Sequence, residues 1–411
     1  MIKKSFLFPG QGSQYIGMGK KLYEKYEIAK KTFDEADDAL SFSLSDMCFS
    51  GDIKELTLTK NAQPAILTTS VAMFRVLRER NIVPDILAGH SLGEISALTC
   101  AGAIPFEDAV CLARKRGELM QEAVPQGVGA MAAVMTRDID KLRELCDRFS
   151  SEGSVSISNY NTRTQQVISG DVNAVNKAVE QLTQENIKTK LLNVSAPFHC
   201  QLMKPAAEKF REELENYKFG ELKYPVLSNV NAMPYAGTEA IVDNLVAQIY
   251  SPVLWADSMT YLKKYMTNYC VEVGPGRVLK NMMKTNISDI PVYAFDGEED
   301  ELFDYIEKSY FPFVSRAMGI AVATKNTNWD DEEYNKGVIA PYNEMKNIQT
   351  KVEKENRKAT VDEMKRTIEL LLKIFATKKT PFEEQKSRFE ELFADSGEQE
   401  LFKDYDFSTI I

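Results

Sequence analysis

The chain has 411 residues, long enough for two or three cooperating units, and its 44% hydrophobic and 27% charged residues are typical of a soluble globular protein. Its formal net charge of −10 lies mostly in residues 296–411, which include 17 Lys and Arg residues and 26 Asp and Glu residues. This distribution argues against nucleic-acid binding. No apolar run approaches the roughly 18 residues of a membrane-spanning helix, and the N-terminal run is too short for a signal peptide, so we expect a cytoplasmic protein.

The first half of the chain alternates short β-rich runs with helical patterns, which predicts an α/β unit. Strands are expected over residues 4–8 and 85–89, and helices over 63–80, 92–101 and 106–122. The first of these strands ends in a Pro-Gly-Gln-Gly turn.

From residue 127 the pattern becomes β-α-β-β-α-β, which is the order of a ferredoxin-like subdomain. Its strands are expected over 130–135, 154–158, 166–169 and 189–194, and its helices over 138–149 and 173–185. The predicted division is a large α/β subdomain at 1–126 and 196–295, the inserted small subdomain at 127–195, and an acidic helical extension at 296–411.

The extension is expected to be ordered, because apolar residues recur at helical spacing behind a capping box at Thr360-Val-Asp-Glu363. A second capping box is predicted at Thr380-Pro-Phe-Glu383, with proline at the first helical position. An appendage packed on the body is favoured over a separate functional domain.

Cysteine and histidine usage limits the possible chemistry. The six cysteines are far apart and include no C-x-x-C pair, which argues against a zinc site or a disulfide framework. The chain has only two histidines, His90 and His199, so any histidine-dependent mechanism must use one of them.

The pentapeptide Gly89-His-Ser-Leu-Gly93 lies between a predicted strand and a predicted helix, which is the context of a nucleophile elbow at Ser91. The alternative is a glycine turn in which the serine only caps the helix. A serine nucleophile needs a base, and the side chain of His90 should diverge from that of its neighbour Ser91. His199 is therefore the candidate base, and the same geometric reason argues against Cys200 as a nucleophile beside it.

Arg116 lies within a predicted helix that has several other charged residues. This sequence run alone favours the interpretation that Arg116 is one more solvated charge. Its planar guanidinium could also pair at two points with a carboxylate.

Seven motifs in this order resemble those of malonyl-CoA:acyl carrier protein transacylases and of the discrete acyltransferases that serve polyketide synthases. The motifs are Phe8-Pro-Gly-Gln-Gly-Ser-Gln14, Gln63-Pro-Ala65, Gly89-His-Ser-Leu-Gly-Glu94, Arg116-Gly-x-x-Met120-Gln121, Asn159-x-Asn161, Ala196-Pro-Phe-His199 and Val273-Gly-Pro-Gly276. The resemblance covers about residues 1 to 295 and implies an α/β-hydrolase-like core that contains the ferredoxin-like insertion.

The resemblance implies a catalytic role for five residues. Ser91 would accept the acyl group, and His199 would be the general base, with its other nitrogen held by the backbone carbonyl of Gln248. The backbone N–H groups of Gln11 and Leu92 would form the oxyanion hole.

The resemblance also implies the substrates and the pocket. Arg116 would bind the malonyl carboxylate, Phe198 matches the version associated with malonyl over methylmalonyl, and Gln63 and Asn161 would complete the pocket. The donor would be malonyl-CoA and the acceptor the phosphopantetheine thiol of an acyl carrier protein, with no metal and no bound cofactor.

Other functions stay open beside this one. An acyl hydrolase of the same fold is expected to lack the carboxylate-binding arginine. A generic serine esterase is expected to have an acidic residue as the third member of a catalytic triad. A non-catalytic docking module is expected to have an inactive site. The extension resembles those of discrete polyketide acyltransferases, which favours polyketide over fatty-acid synthesis. Our hypothesis is that it helps to dock a synthase or carrier domain.

Overall fold

The computed structural model describes residues 2–125, 127–150, 153–194, 196–399 and 401–402. The predicted boundaries at residues 126 and 195 fall outside the described residues. The chain divides between Glu299 and Asp300 into two compact units.

The first unit, Lys3–Glu299, contains two sheets and the helices around them. Its strands are β1 Lys4–Phe8, β2 Ile86–Gly89, β3 Gly129–Val134, β4 Val155–Thr162, β5 Gln165–Asp171, β6 Thr189–Leu191, β7 Val226–Leu227, β8 Tyr269–Glu272 and β9 Val292–Ala294. Its helices are α1 Lys20–Lys25, α2 Glu27–Leu40, α3 Leu44–Ser50, α4 Ile53–Thr57, α5 Thr59–Glu79, α6 Leu92–Cys100, α7 Phe106–Glu122, α8 Ile139–Phe149, α9 Val172–Gln184, α10 Lys204–Leu214, α11 Ala240–Tyr250, α12 Trp255–Lys264 and α13 Val278–Asn286.

The large sheet is parallel, with strand order β7-β2-β1-β8-β9. Its central strand β1 is buried on both faces, since Phe6, Leu7 and Phe8 are all inaccessible to solvent. In the β1–β2 ladder, Phe8 lies opposite Gly89. Because parallel strands end at the same edge, the loops that follow β1 and β2 meet there.

The small sheet is antiparallel, with strand order β4-β5-β3-β6, and α8 and α9 contribute to one core with it. This arrangement is ferredoxin-like, and together with the parallel core it confirms the predicted fold class. The predicted last strand is shortened, because β6 ends at Leu191 instead of residue 194.

The second unit is helical and has its own hydrophobic core, in which Ile368, Leu371, Phe375 and Phe389 are almost inaccessible to solvent. Its helices are α14 Glu299–Ser309, α15 Phe313–Ala323, α16 Asp331–Tyr334, α17 Ala340–Lys354, α18 Val361–Lys378 and α19 Phe382–Ser396, with a π-helical turn at Asn335–Ile339.

The two capping predictions for the extension have different outcomes. Thr360 and Glu363 form the reciprocal capping box at the start of α18, as predicted. The second box is wrong, because α19 begins at Phe382 with Pro381 as its N-cap residue and no side-chain cap. Thr380 instead closes the end of α18, where its N–H donates to the carbonyl of Phe375 at 2.9 Å.

Within the described part of the chain, no helix has the length and apolar character needed to cross a membrane. All six cysteines are free thiols, and five of them are buried. The described residues include no group of three or more His, Cys, Asp or Glu side chains that could hold a metal ion.

Candidate active site

The turn between β2 and α6 holds Ser91 in a backbone conformation that non-glycine residues rarely adopt, with φ 52° and ψ −110°. The glycines on either side permit this turn. A Cβ at Gly89 would lie 1.9 Å from the carbonyl carbon of Gly93, and a Cβ at Gly93 would lie 2.0 Å from the carbonyl oxygen of Phe8. The close approach of β1, β2 and α6 therefore requires glycine at both positions, and it projects the serine hydroxyl out of the turn.

Asn229 braces this turn from the loop after β7. Its side-chain oxygen accepts a hydrogen bond from the Ser91 N–H at 2.7 Å, and its amide nitrogen donates to the Gly89 carbonyl at 2.6 Å. No sequence pattern predicts a role for Asn229, since 138 residues separate it from Ser91.

Ser91 and His199 are in direct contact, with 2.8 Å between the serine Oγ and the histidine Nε2. The other ring nitrogen, Nδ1, lies 2.7 Å from the main-chain carbonyl oxygen of Gln248. A carbonyl can only accept, so Nδ1 holds the proton and Nε2 presents a lone pair to the serine hydroxyl.

The charge state of His199 favours the same tautomer. Burial, together with the charge of Arg116, lowers the pKa of His199 to about 3, although the Gln248 carbonyl acts in the opposite direction. The imidazole is therefore neutral at physiological pH and can accept a proton.

The other two candidates beside these residues make different contacts. His90 turns away from Ser91: its Nε2 lies 2.9 Å from the Asn161 Oδ1, and its ring packs edge-on against Trp255. The Cys200 thiol is buried and donates to the Pro197 carbonyl at 3.1 Å. Burial also raises the pKa of Cys200, which disfavours a thiolate.

Arg116 is a buried cation in the same site, with only 1% of its surface exposed. Its Nη1 donates to the Gln63 side chain and its Nη2 to the Gln248 side chain, both at 2.8 Å, and Nη2 also lies 3.3 Å from the Ser91 Oγ. Its Nε–H has no hydrogen-bond partner among the described residues. Burial lowers the pKa of Arg116 to about 10, so the guanidinium stays charged at neutral pH.

Arg116 meets Gln63 because α7 lies unusually close to the start of α5. A Cβ on Gly117 would come within 2.6 Å of the Thr59 carbonyl oxygen, so only glycine permits this packing. Pro64 inside α5 cannot donate to the Lys60 carbonyl, and Arg114 on α7 donates to that oxygen instead at 3.3 Å. The helix pattern alone predicted a solvated side chain for Arg116, and this prediction is wrong, because the side chain is buried.

These groups open into one cavity of about 510 Å³. The remaining predicted site residues line it: Gln11, Leu92, Phe198 and Asn161. Leu92 is the first residue of α6, where main-chain N–H groups have no partner inside the helix. Further cavity residues received no role from the sequence: Met131, Lys190, Leu192, Val194 and Met282.

Comparison with known protein families identifies this constellation. The model of the acyl transferase domain family matches residues 5–303. The chain belongs to the acyl transferase family. This match covers the whole first compact unit except its first two residues, and it extends only four residues beyond Glu299.

Two relatives from Bacillus subtilis bear the name malonyl CoA-acyl carrier protein transacylase. The one from strain 168 is 49% identical over 286 residues, which are 69% of this chain and 90% of the relative. The other is 37% identical over 398 residues, which are 94% of this chain and 99% of the relative, so the helical extension has a counterpart there.

A solved structure of a type II polyketide synthase malonyl-transacylase in complex with its acyl-carrier protein is similar in fold to this chain. It superposes with a TM-score of 0.70 at 39% identity, and the match covers 71% of this chain and 95% of that protein. The family members thus include enzymes that act with carrier proteins.

Proposed function

We propose that this acyltransferase moves a malonyl group from malonyl-CoA to the phosphopantetheine thiol of an acyl carrier protein, through an ester on Ser91. The observation that supports malonyl most directly is the position of Arg116. Its Nη2 lies 3.3 Å from the Ser91 Oγ, inside the cavity that the nucleophile faces. A buried guanidinium at this place needs an anion, and the free carboxylate of a malonyl group supplies one.

The first half-reaction loads the serine. His199 accepts the hydroxyl proton of Ser91 at Nε2 while Oγ attacks the thioester carbonyl, and the main-chain N–H groups of Gln11 and Leu92 bind the resulting oxyanion. The C–S bond then breaks, and the imidazolium returns the proton to the departing sulfur. Coenzyme A leaves, and a malonyl-serine ester remains.

The second half-reaction repeats these steps in reverse with a different thiol. His199 takes the proton of the phosphopantetheine thiol, whose sulfur attacks the ester carbonyl. The C–O bond to Ser91 breaks, and the imidazolium returns its proton to Oγ. The Gln248 carbonyl supports both directions, because it stabilises the protonated ring through the Nδ1–H bond of 2.7 Å.

The intact mass of the protein after mixing with malonyl-CoA, acetyl-CoA or methylmalonyl-CoA tests this proposal. We expect a malonyl-sized increase that is absent from Ser91→Ala and moves to added carrier protein. Arg116→Ala should lose the preference for malonyl over acetyl, because only malonyl has a carboxylate to bind. Free coenzyme A without an adduct would indicate the hydrolase, and no reaction at all would indicate the docking module.

The metabolic setting that we propose is polyketide synthesis in the cytoplasm, with fatty-acid synthesis as the alternative, and without a bound cofactor. The Bacillus subtilis relative that matches 94% of this chain includes a counterpart of the extension, whereas transacylases of about 300 residues match only 72% of the chain. This difference supports a setting other than that of the shorter transacylases. Competition between a polyketide carrier domain and a fatty-acid carrier protein for the malonyl-enzyme tests the setting. A higher transfer rate to the fatty-acid carrier would contradict it.

A further inference from the structure

Glu94 is a buried carboxylate three residues after the nucleophile. It is inaccessible to solvent and is the one charged residue of α6, whose other members are apolar, small or hydroxylated. A carboxylate in such a place is costly unless several donors surround it. The proposed chemistry gives Glu94 no part, so its retention inside the active-site wall needs a physical reason.

The donors around Glu94 come from the loop between β7 and α11 and from α11 itself. Its Oε2 accepts from the Gln248 side-chain amide at 2.6 Å and from the Asn229 main-chain N–H at 3.1 Å. Its Oε1 accepts from the Tyr235 hydroxyl. The carboxylate therefore joins α6, which begins directly after the nucleophile, to α11, which provides Gln248.

The contact with Glu94 fixes which way the Gln248 amide points. Burial raises the pKa of Glu94 to about 7, so above this pH its carboxylate is ionised and only accepts. The NH₂ end of Gln248 then faces Glu94, and it also donates to the Ser91 carbonyl at 3.0 Å. The oxygen end must then face Arg116, whose Nη2 lies 2.8 Å away. The reversed amide would place donors against the guanidinium and an oxygen against the carboxylate.

The same arrangement provides the counter-charge for Arg116. Gln63 and Gln248, which accept hydrogen bonds from the guanidinium, are neutral amides. The charge of Glu94 acts on Arg116 across the Gln248 amide and favours its protonated form. Because Glu94 does not contact the guanidinium directly, it leaves the hydrogen-bonding capacity of Arg116 to an incoming carboxylate.

We propose that Glu94 is a positioning residue for Arg116: through the Gln248 amide it orients the guanidinium and so determines the preference for acyl groups that end in a carboxylate. This inference rests on the proposed function, and it adds a residue that does not touch the substrate. It requires that removal of the Glu94 charge changes the choice between acyl donors and not merely the amount of folded protein.

The test compares the rate constants for loading Ser91 from malonyl-CoA and from acetyl-CoA. In Glu94→Gln the preference for malonyl should fall by at least about tenfold, because the Gln248 amide loses its charged partner and its fixed orientation. Gln248→Met, which keeps the main-chain carbonyl for His199 but deletes the amide, should show the same loss. If Glu94→Gln does not fold, this second variant decides.

Glu272→Gln is the matched control. Glu272 is also a fully buried glutamate, and burial raises its pKa to about 7, as it does for Glu94. Its oxygens accept from the N–H groups of Leu279 and Lys280 at the start of α13, at 2.9 and 2.8 Å, so it caps a helix without contacting Arg116 or Gln248. This variant should lose stability and retain the malonyl preference within about twofold.

A double-mutant cycle separates positioning from a general structural effect. In an Arg116→Ala background, Glu94→Gln should cause no further loss of malonyl preference, because Glu94 affects this preference only through Arg116. An unchanged preference in Glu94→Gln, or an equal loss with and without Arg116, would overturn the inference. Absence of a malonyl ester on the wild-type protein would overturn the proposed function instead, and the inference with it.

Discussion

Gln248 joins the two functional halves of the site through different atoms. Its main-chain carbonyl accepts from the His199 ring, and its side-chain oxygen accepts from Arg116. Substitution of the side chain therefore changes the contacts of Arg116 and leaves the hydrogen bond to His199 in place. A backbone carbonyl can orient a histidine without adding a second negative charge beside a substrate that is itself an anion.

The depressed pKa of His199 has a consequence for stability. A histidine with a folded pKa of about 3 and an ordinary unfolded pKa of about 6.5 takes up its proton only in the unfolded chain as pH falls between these values. The unfolded state then binds more protons, so the free energy of unfolding falls with pH by up to about 1.4 kcal/mol per unit. His199→Gln should lose this part of the pH dependence.

Tryptophan fluorescence can follow the unfolding of the first unit. Trp255 is inaccessible to solvent there, whereas Trp329, the second tryptophan, is 88% exposed in the extension. Urea unfolding at pH 7, 6 and 5 should show that the free energy of unfolding decreases more steeply with falling pH for the wild type than for His199→Gln. Parallel pH dependences of the two proteins would contradict a neutral buried His199.

Asn229 gives a second prediction at the scale of one residue. Asn229→Ala leaves the Ser91 N–H and the Gly89 carbonyl without their partner in a buried turn, which should cost about 2–4 kcal/mol of stability and slow acylation of the serine. Asn231→Ala is the control, since Asn231 is exposed and its side-chain oxygen accepts from the Met233 N–H, outside the turn at Ser91. A normal acylation rate in Asn229→Ala would show that the turn holds its conformation without this brace.

The elbow itself depends on contacts between elements. Gly93→Ala would force a Cβ to within 2.0 Å of the Phe8 carbonyl oxygen, and the nearest atoms all belong to the main chain of Phe8 and Pro9, which cannot rotate away as a side chain can. We expect the variant to be insoluble or to unfold well below the wild-type midpoint in a thermal scan. Gly319→Ala, within α15, meets nothing closer than 3.9 Å and should be neutral or stabilise that helix by about 0.5–1 kcal/mol.

Local sequence patterns predict helices and strands well where a single periodicity determines the element. They predict poorly where one residue lies between two neighbouring helices and could belong to the end of either. The small subdomain follows from its alternating strand pattern, and the order of its sheet agrees with that pattern. The second capping box failed because α19 begins at Phe382, one residue later than predicted, which makes Pro381 its N-cap residue. Thr380 lies before that position, and its main-chain N–H completes the end of α18. Sequence spacing also could not predict the roles of Asn229 and Tyr235, since both contact the site from the loop between β7 and α11, far along the chain from Ser91 and Glu94.

For Glu94 the sequence did contain a signal. It is the single charge in an otherwise uncharged helix directly after the nucleophile. Such a pattern predicts a buried carboxylate, but its partners depend on the packing of α11 against α6, which no local pattern specifies. The elbow pattern predicted Ser91 as the nucleophile, and the choice between two histidines predicted His199 as its base. The role of Arg116 came from the resemblance, and the geometry now supplies the distances of both residues to Ser91.

At the scale of the whole molecule, each compact unit has its own hydrophobic core. The solved malonyl-transacylase of 39% identity is covered over 95% of its length by 71% of this chain, so its length is about that of the first unit alone. The first unit should therefore fold and load Ser91 when it is expressed alone. The extension is then free to have a role in partner choice.

Deletion of residues 300–411 tests this separation of roles. We expect the shortened protein to form the malonyl ester on Ser91 within about twofold of the wild-type rate, because the site residues all lie before Glu299. Transfer to a cognate synthase carrier should fall, and since the extension is strongly acidic, the difference should shrink as salt screens its charge. The control is transfer to a carrier protein from a system whose transacylase lacks an extension, which should be unaffected. Equal transfer to every carrier before and after deletion would refute a docking role for the extension.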